Sequence, residues 1–221
     1  MFELLMQLPL FQGLSVETLS QLVEKYPFHF LKFHDGETIV DSGETVTHAR
    51  FVVSGQVRLH TAFRNLQVML SQTLSAPHVL GADWLFGMTT AHPTRACALG
   101  ECGILQITKS DYVEMLQSNK VLLFNILNYL SLKGQHSASA MLNLTHGTVD
   151  ERLAILIKTL TTRSSVDINL DFRQKDLCML IGTQRNSLLN SLNKLAQEQL
   201  ITFSSNSMGI TNPRAFLEQV R

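Results

Sequence analysis

Residues 173–201 read RQKDLCMLIGTQRNSLLNSLNKLAQEQLI, and this stretch divides at Gly182 into two short helical patterns. Apolar residues recur at helical spacing on both sides of the glycine: Leu177, Leu180 and Ile181 before it, and Leu188, Leu192 and Leu195 after it. Gly182 can adopt the left-handed conformation that ends a helix, and Thr183 is predicted to cap the helix that follows. The stretch therefore predicts two helices joined by a sharp turn with almost no loop.

The face of the second predicted helix that lies opposite its leucines is mostly polar. In a helix-turn-helix, the second helix enters the major groove of DNA and presents its N-terminal side chains to base edges. Arginine donates two hydrogen bonds to guanine, and asparagine and glutamine match the donor and acceptor of adenine. The candidate DNA-binding residues are Thr183, Gln184, Arg185, Asn186, Leu189 and Asn190. Lys194, near the other end, is expected to reach only phosphate or solvent. An ordinary pair of amphipathic helices would show the same pattern, so this stretch alone leaves both interpretations open.

The residues that follow favour DNA binding. Two short apolar runs, residues 200–203 and 208–211, flank a polar turn at residues 204–207, and a hairpin directly behind a recognition helix is a wing. The run DLCMLIGTQRNSLLNSLNKLAQEQLI resembles the C-terminal helix-turn-helix of the Crp/Fnr superfamily of bacterial transcription regulators. The resemblance implies that Arg185 reads guanine. Gln184, Asn186 and Asn190 differ from the usual serine, glutamate and arginine of that family, which implies a different preferred operator.

Charge and cysteine content limit the class of protein. The formal net charge is zero, but residues 147–221 carry nine Lys and Arg against seven Asp and Glu, which suits a module that contacts phosphate. Cys97, Cys102 and Cys178 show no C-x-x-C spacing, so we interpret them as reduced thiols and predict no metal site. The apolar start lacks the positive region of a signal peptide, and no apolar run reaches about 18 residues. These features predict a cytoplasmic protein with no membrane partner.

Residues 28–107 contain short runs of Val, Ile, Phe and Leu interrupted by glycine turns, which predicts a β-sandwich or roll. The segment FVVSGQVRLHT, residues 51–61, is predicted to be a hairpin with a tight turn at Ser54 and Gly55, and it resembles the central hairpin of a cyclic-nucleotide-binding β-roll. The predicted fold class is α+β. It combines an N-terminal double-stranded β-helix (jelly roll), a long dimerisation helix and a C-terminal winged helix-turn-helix.

The longest helical pattern runs from Val121 to His146. Its a and d positions, at steps of four and three residues, are Leu123, Leu127, Leu130, Gly134, Ser137, Met141 and Leu144. Such a register, in the place where the Crp/Fnr family dimerises, predicts a parallel homodimer; the alternative is one long helix lying on its own β-roll. Gly147 ends the helix, and Thr148 with Glu151 forms a capping box that begins the next one. We therefore expect a sensing domain at residues 1–120, a dimerisation helix at 121–147 and a DNA-binding domain at 148–221, with a hinge at Gly147.

The family resemblance also implies a site for a small effector. The candidate effector-binding residues are Gly81, Ala82, Asp83, Trp84 and Arg95, which match the family's phosphate cassette, together with Ser137 on the predicted long helix. Arg95 matches the arginine that pairs with the phosphate of cyclic AMP, although an ordinary ion pair is the alternative reading. Ala82 replaces the glutamate that binds the ribose hydroxyl. We therefore expect cyclic AMP to bind weakly or not at all, and an unidentified anionic or small apolar effector to take its place.

Other sensor chemistries and other functions find little support in the sequence. An iron-sulfur cluster is not expected, because the first cysteine is Cys97 and no cluster of cysteines precedes it. Haem is not expected either, because its best axial ligand would be the lone His78. No G-x-S-x-G, H-E-x-x-H or P-loop pattern predicts an enzyme. The resemblance implies double-stranded DNA with an inverted-repeat operator and RNA polymerase as partners. The alternative function is a cyclic-nucleotide-binding regulatory module without DNA-binding activity.

Overall fold

The structure of the protein is a computed structural model that describes residues 2–143, 147–162 and 164–219. The helices are α1 (Phe2–Met6), α2 (Val16–Lys25), α3 (Lys109–Ser118), α4 (Lys120–Asn143), α5 (Val149–Leu160), α6 (Gln174–Ile181), α7 (Arg185–Gln197) and α8 (Pro213–Gln219). The strands are β1 (His29–Phe33), β2 (Thr38–Val40), β3 (His48–Ala62), β4 (Val68–Ser75), β5 (His78–Leu80), β6 (Arg95–Thr108), β7 (Ser165–Phe172), β8 (Thr202–Ser204) and β9 (Ser207–Ile210). No helix within the described ranges is long and apolar enough to cross a membrane.

The chain divides into two compact units. The first comprises Met1–Arg58 and Ser75–Gly134, and the second comprises Leu59–Leu74 and Gln135–Arg221. In the first unit, β6 pairs with β1, β2 and β3, and β5 pairs with β3. The aromatic rings of Phe11, Phe51 and Tyr112 lie in its core and are fully buried. The antiparallel roll predicted from the glycine-punctuated apolar runs is confirmed.

The tight hairpin predicted at Ser54 and Gly55 is wrong. Strand β3 continues unbroken through both residues, and the chain reverses instead between Ala62 and Val68. Gly55 takes a φ of +76°, and a Cβ atom there would overlap the carbonyl oxygen of Glu101 on the neighbouring strand. The glycine therefore permits a local distortion and a close strand approach rather than a turn.

Helix α4 packs one face against the core of the first unit and exposes another. Leu122 and Ile126 are buried there, and Leu130 is partly buried against the same core. Leu123 and Leu127 lie on the exposed face. The predicted long helix is confirmed between Lys120 and Asn143, whereas Leu144 lies outside the described residues.

The second unit is a winged helix-turn-helix with an additional strand. The predicted capping box is confirmed: the Thr148 amide donates to Glu151 Oε2 (2.6 Å), and the Glu151 amide donates to Thr148 Oγ1 (3.3 Å). The predicted strand at residues 166–170 is β7, which pairs with β9, and β9 pairs with β8 to form the wing. On its other side β7 pairs with β4, a partner that the sequence did not indicate.

Candidate nucleic-acid interface

The turn between α6 and α7 has the geometry that the glycine predicted. Gly182 takes a φ of +63°, and its amide donates to the carbonyl oxygen of Cys178. Arg152, from α5, donates through Nη1 to the carbonyl oxygens of Ile181 (2.9 Å) and Gly182 (2.7 Å). A cation thus satisfies carbonyl groups at the C-terminus of α6, where the helix dipole favours positive charge.

Thr183 does not cap the second helix, so that part of the prediction is wrong. Helix α7 begins at Arg185, its N-cap residue is Gln184, and the Gln184 side chain makes no capping hydrogen bond. The amide of Thr183 instead donates to the Cys178 carbonyl oxygen (3.0 Å) and so extends the turn. The first amides of α7 therefore keep the ability to bind an anion such as phosphate.

Helix α7 is fixed to the unit by its apolar face and by one carboxylate. Leu188, Leu192 and Leu195 are buried in the core as predicted. Asp150, in the first turn of α5, accepts hydrogen bonds from Ser191 Oγ and from Lys194 Nζ (2.7 Å). The hydrogen bond to Asp150 raises the pKa of Lys194. Lys194 was expected to reach only phosphate or solvent, and this was wrong because its ammonium group is paired within the protein.

The opposite face of α7 is open. Gln184, Arg185, Asn186 and Asn190 are exposed, and Thr183 and Leu189 are partly buried. This face borders a groove that the N-terminal turns of α6 and α7 form with the wing. Three cations, Arg173, Lys175 and Arg185, line the groove together with Ser187, Ser205 and Asn206. Cationic and amide-bearing side chains beside a free helix N-terminus suit contact with a phosphate backbone and base edges.

Arg185 is held in place by a neighbour that the sequence did not single out. Its Nε donates to Gln174 Oε1 (2.8 Å), and Gln174 Nε2 donates to the carbonyl oxygen of Ser205 (2.8 Å) in the wing turn. One glutamine of α6 therefore connects the candidate recognition arginine with the wing.

The predicted effector residues occupy the first unit, except Ser137, which is exposed on α4. Gly81 takes a φ of +65° and precedes a 3-10 turn formed by Ala82, Asp83 and Trp84, in which Ala82 is buried. The imidazole of His92 packs against Gly81 so closely that a Cβ atom there would lie 2.6 Å from it. Arg95 is exposed, and its Nη2 donates to Thr38 Oγ1 (2.8 Å). The guanidinium that was expected to pair with an effector thus contacts a side chain of β2.

Comparisons with known proteins agree with this architecture. Residues 30–119 match the cyclic nucleotide-binding domain family, and residues 151–218 match the Crp-like helix-turn-helix domain family, so the two models together cover most of the chain. The cAMP-activated global transcriptional regulator CRP of Haemophilus influenzae is 21% identical over 178 residues, which cover 78% of this chain and 80% of that protein.

Solved structures show the same fold. The catabolite activator protein of Thermus thermophilus matches with a TM-score of 0.54 and 21% identity, over 96% of this chain and 98% of that one. A transcriptional regulator from Thermotoga maritima matches with a TM-score of 0.51 and 17% identity, over 57% of this chain and 97% of that one. The chain belongs to the Crp/Fnr superfamily.

The protein is therefore a DNA-binding transcription regulator of the Crp/Fnr type, and the predicted family and fold class are confirmed. The alternative, a cyclic-nucleotide-binding regulatory module without DNA-binding activity, gives no reason for the Crp-like helix-turn-helix domain that residues 151–218 match.

Several residues that shape the interface of this regulator were missed by sequence reasoning. Arg152 lies 29 residues before the carbonyl group it contacts, and Asp150 lies 41 residues before Ser191. Gln174 stood within the quoted motif, but its role depends on the wing turn 31 residues later. No local pattern reports such pairings, because they exist only after the helices have packed.

Proposed function

We propose that the regulator is a homodimer that reads an inverted-repeat operator with one α7 helix in each half-site. The observation that carries the proposal is the position of Arg185 near the N-terminus of α7, exposed and beside the cationic groove. A recognition helix presents base-reading side chains at its N-terminal end. The residues proposed to contact DNA are Thr183, Gln184, Arg185, Asn186, Leu189 and Asn190.

Dimerisation is proposed to occur through α4. Exposed apolar side chains follow one side of this helix, among them Leu123, Leu127 and Met141, of which Leu127 is 53% and Met141 81% exposed. Gly134 and Ser137 are small and exposed on the same helix, which allows close approach of a second copy. Phe124, at 66% exposure, borders this face and was not among the predicted seam residues. Leu130 offers less surface to the proposed dimer interface than predicted, because its side chain packs partly against the core of the first unit.

The first unit is proposed to bind cyclic AMP weakly or not at all, and to bind a different small effector instead. Two features support this proposal: Ala82 is buried where a carboxylate would be required, and Arg95 is exposed and bonded to Thr38. Beside Ala82, the side chains of Val79, Tyr112, Ile126 and Tyr129 line an apolar gap of only about 10 Å³, which has room for no more than one water molecule. Burial raises the pKa of both tyrosines, so their phenols are neutral. The candidate effectors are an anionic ligand at the cassette and a small apolar molecule, for which this lining would have to open.

Residues 1–120 sense the effector, residues 121–147 dimerise and residues 148–221 bind DNA, with the β3–β4 arm at residues 59–74 added to the last. The regulator acts in the cytoplasm by binding DNA and contacting RNA polymerase, not by catalysis.

Selection of DNA from a random pool by the purified full-length protein tests this function. We expect an inverted repeat whose half-sites lie about one helical turn, or about 34–36 Å, apart. A guanine in each half-site should be strongly preferred. Enrichment of a single, non-repeated motif would contradict the dimeric reading, and no enrichment would contradict specific DNA binding.

A further inference from the structure

The geometry points to Gln174 as a positioning residue that orients Arg185 for guanine and couples this orientation to the wing. The inference rests on the proposed reading of guanine by Arg185. Gln174 belongs to α6. Its side-chain amide accepts a hydrogen bond from Arg185 Nε (2.8 Å) and donates one to the Ser205 carbonyl oxygen (2.8 Å).

The first hydrogen bond determines which donors Arg185 can offer. A guanidinium carries five N–H donors in one plane, and here Gln174 Oε1 takes the Nε–H. This bond does not use the two terminal nitrogens, Nη1 and Nη2, which form a pair of donors at the end of the guanidinium. Guanine presents the acceptors O6 and N7 side by side in the major groove, so an end-on guanidinium meets both.

The second hydrogen bond fixes the glutamine. Because Nε2 donates to the Ser205 carbonyl oxygen, the amide cannot rotate or flip without losing a partner. Gln174 is partly buried between α6 and the wing turn, whereas Arg185 is exposed. A long exposed arginine has much rotamer freedom, and restricting it before DNA binds reduces the entropy lost on binding. A shift of the wing would move Ser205 and release the arginine.

The test measures base preference rather than affinity alone, in full-length protein, with DNA fragments carrying each of the four base pairs at the selected guanine position. Gln174→Met keeps the length of the side chain but removes the acceptor and the donor. We expect the preference for guanine to fall by about threefold or more, against about 5–150-fold for complete loss of an arginine contact. Affinity for DNA without an operator should change little. Gln197→Met, at the exposed end of α7, is the matched control and should preserve the preference.

Two further variants separate orientation from other roles. Gln174→Glu retains the acceptor for Arg185 but cannot donate to the Ser205 carbonyl oxygen, so guanine preference should fall less than in Gln174→Met, while the negative charge lowers affinity for all DNA. In an Arg185→Ala background, Gln174→Met should cause no further loss of guanine preference.

The inference is overturned if Gln174→Met retains the full preference, or if it lowers the preference equally in the Arg185→Ala background, since Gln174 would then contact DNA independently. If Arg185→Ala itself retains the preference, the proposed reading of guanine fails, which is a separate result.

Discussion

Single polar side chains, each far along the chain from its partner, determine the shape of the DNA-binding unit. Arg152 bonds two carbonyl groups at the end of α6, Asp150 bonds two side chains of α7, and Gln174 bonds both Arg185 and the wing. Hydrogen bonds to charged groups contribute more than neutral ones, and removing one partner leaves the other unsatisfied. The angle between the two helices thus depends on Arg152 and Asp150, which lie outside the quoted motif, as well as on Gln174 within it.

In the first unit, His78 makes the stability of the protein depend on pH. Burial, with a smaller contribution from Lys133, lowers the pKa of His78 from 6.5 to about 4. In the unfolded chain, His78 binds a proton below about pH 6.5, whereas in the folded chain it remains neutral down to about pH 4. The free energy of unfolding therefore falls as the pH falls from about 6.5 to about 4. The free energy of unfolding should drop by about 1–2 kcal/mol between pH 7.5 and pH 5 on account of this residue.

Urea unfolding followed by the fluorescence of Trp84, the only tryptophan, measures this effect. Trp84 and His78 belong to the same unit. His78→Gln should reduce the acid sensitivity and leave the part due to His48 and His92, whose pKa values burial also lowers. His34→Gln, at an exposed histidine of the same unit, should leave the sensitivity as in the parent. An unchanged pH profile in His78→Gln would refute the assignment.

Residue types and spacing alone predicted the face of α7 and the buried stripe of Leu188, Leu192 and Leu195, because helical periodicity is a local property. They did not predict that Lys194 pairs with Asp150, or that Arg95 bonds to Thr38. Lys194 and Arg95 contact groups that lie 44 and 57 residues away in the sequence, and these groups come close only when the chain has folded. A motif identifies which side chains are available, and tertiary structure decides what they contact.

Among the secondary-structure elements, strand β4 departs most from expectation. Together with the end of β3 it forms an arm, residues 59–74, that clusters with the DNA-binding unit and extends the sheet of β7 and the wing. The Ser54-Gly55 pair resembled a turn, because glycine at a positive φ and small polar residues are typical of turns. The chain actually reverses near Asn65, in a segment without glycine. The turn signal there is therefore weaker than at Ser54 and Gly55, and the hairpin was predicted at the wrong place.

Gln72, on β4, connects the arm of residues 59–74 to the DNA-binding unit by hydrogen bonds, so replacing it measures how much the arm stabilises that unit. Its buried amide donates to the Leu160 carbonyl oxygen (2.9 Å) and accepts from Ser165 Oγ (2.7 Å) and the Thr162 amide (3.3 Å). Gln72→Ala removes these bonds, leaves buried groups unsatisfied, and should cost about 1–3 kcal/mol.

Hydrogen exchange of amides in β7, read by mass spectrometry in full-length protein, measures the local effect. We expect faster exchange in Gln72→Ala than in the parent. Gln67→Ala removes an exposed glutamine of the same arm and should leave exchange nearly unchanged. Equal protection in Gln72→Ala and the parent would show that the arm does not stabilise the unit.

At the scale of the whole molecule, the apolar surface of α4 is the feature that a single chain leaves uncovered. Burying one leucine side chain stabilises an interface by about 1.5–3 kcal/mol, and a symmetric dimer buries each one twice. Leu127→Asp should therefore convert a dimer into a monomer at micromolar concentration, as measured by sedimentation. Leu132 is similarly exposed, at 51%, but lies about 140° around the helix from Leu127. Leu132→Asp is the matched control and should remain dimeric.

If the parent protein is a monomer at micromolar concentration, α4 does not form a stable dimer. If Leu127→Asp remains as dimeric as Leu132→Asp, the interface lies elsewhere.

DNA recognition depends most directly on Arg185, which we propose reads a guanine in each half of an inverted repeat. The most direct measurement is parallel selection of DNA by the parent, by Arg185→Ala and by Arg214→Ala. The last variant removes an exposed cation of α8 that pairs with Glu218, so it matches the change in charge. We expect the parent and Arg214→Ala to select the same inverted repeat, and Arg185→Ala to lose about 1–3 kcal/mol of discrimination at one guanine per half-site. Retention of full guanine preference by Arg185→Ala would contradict this proposal.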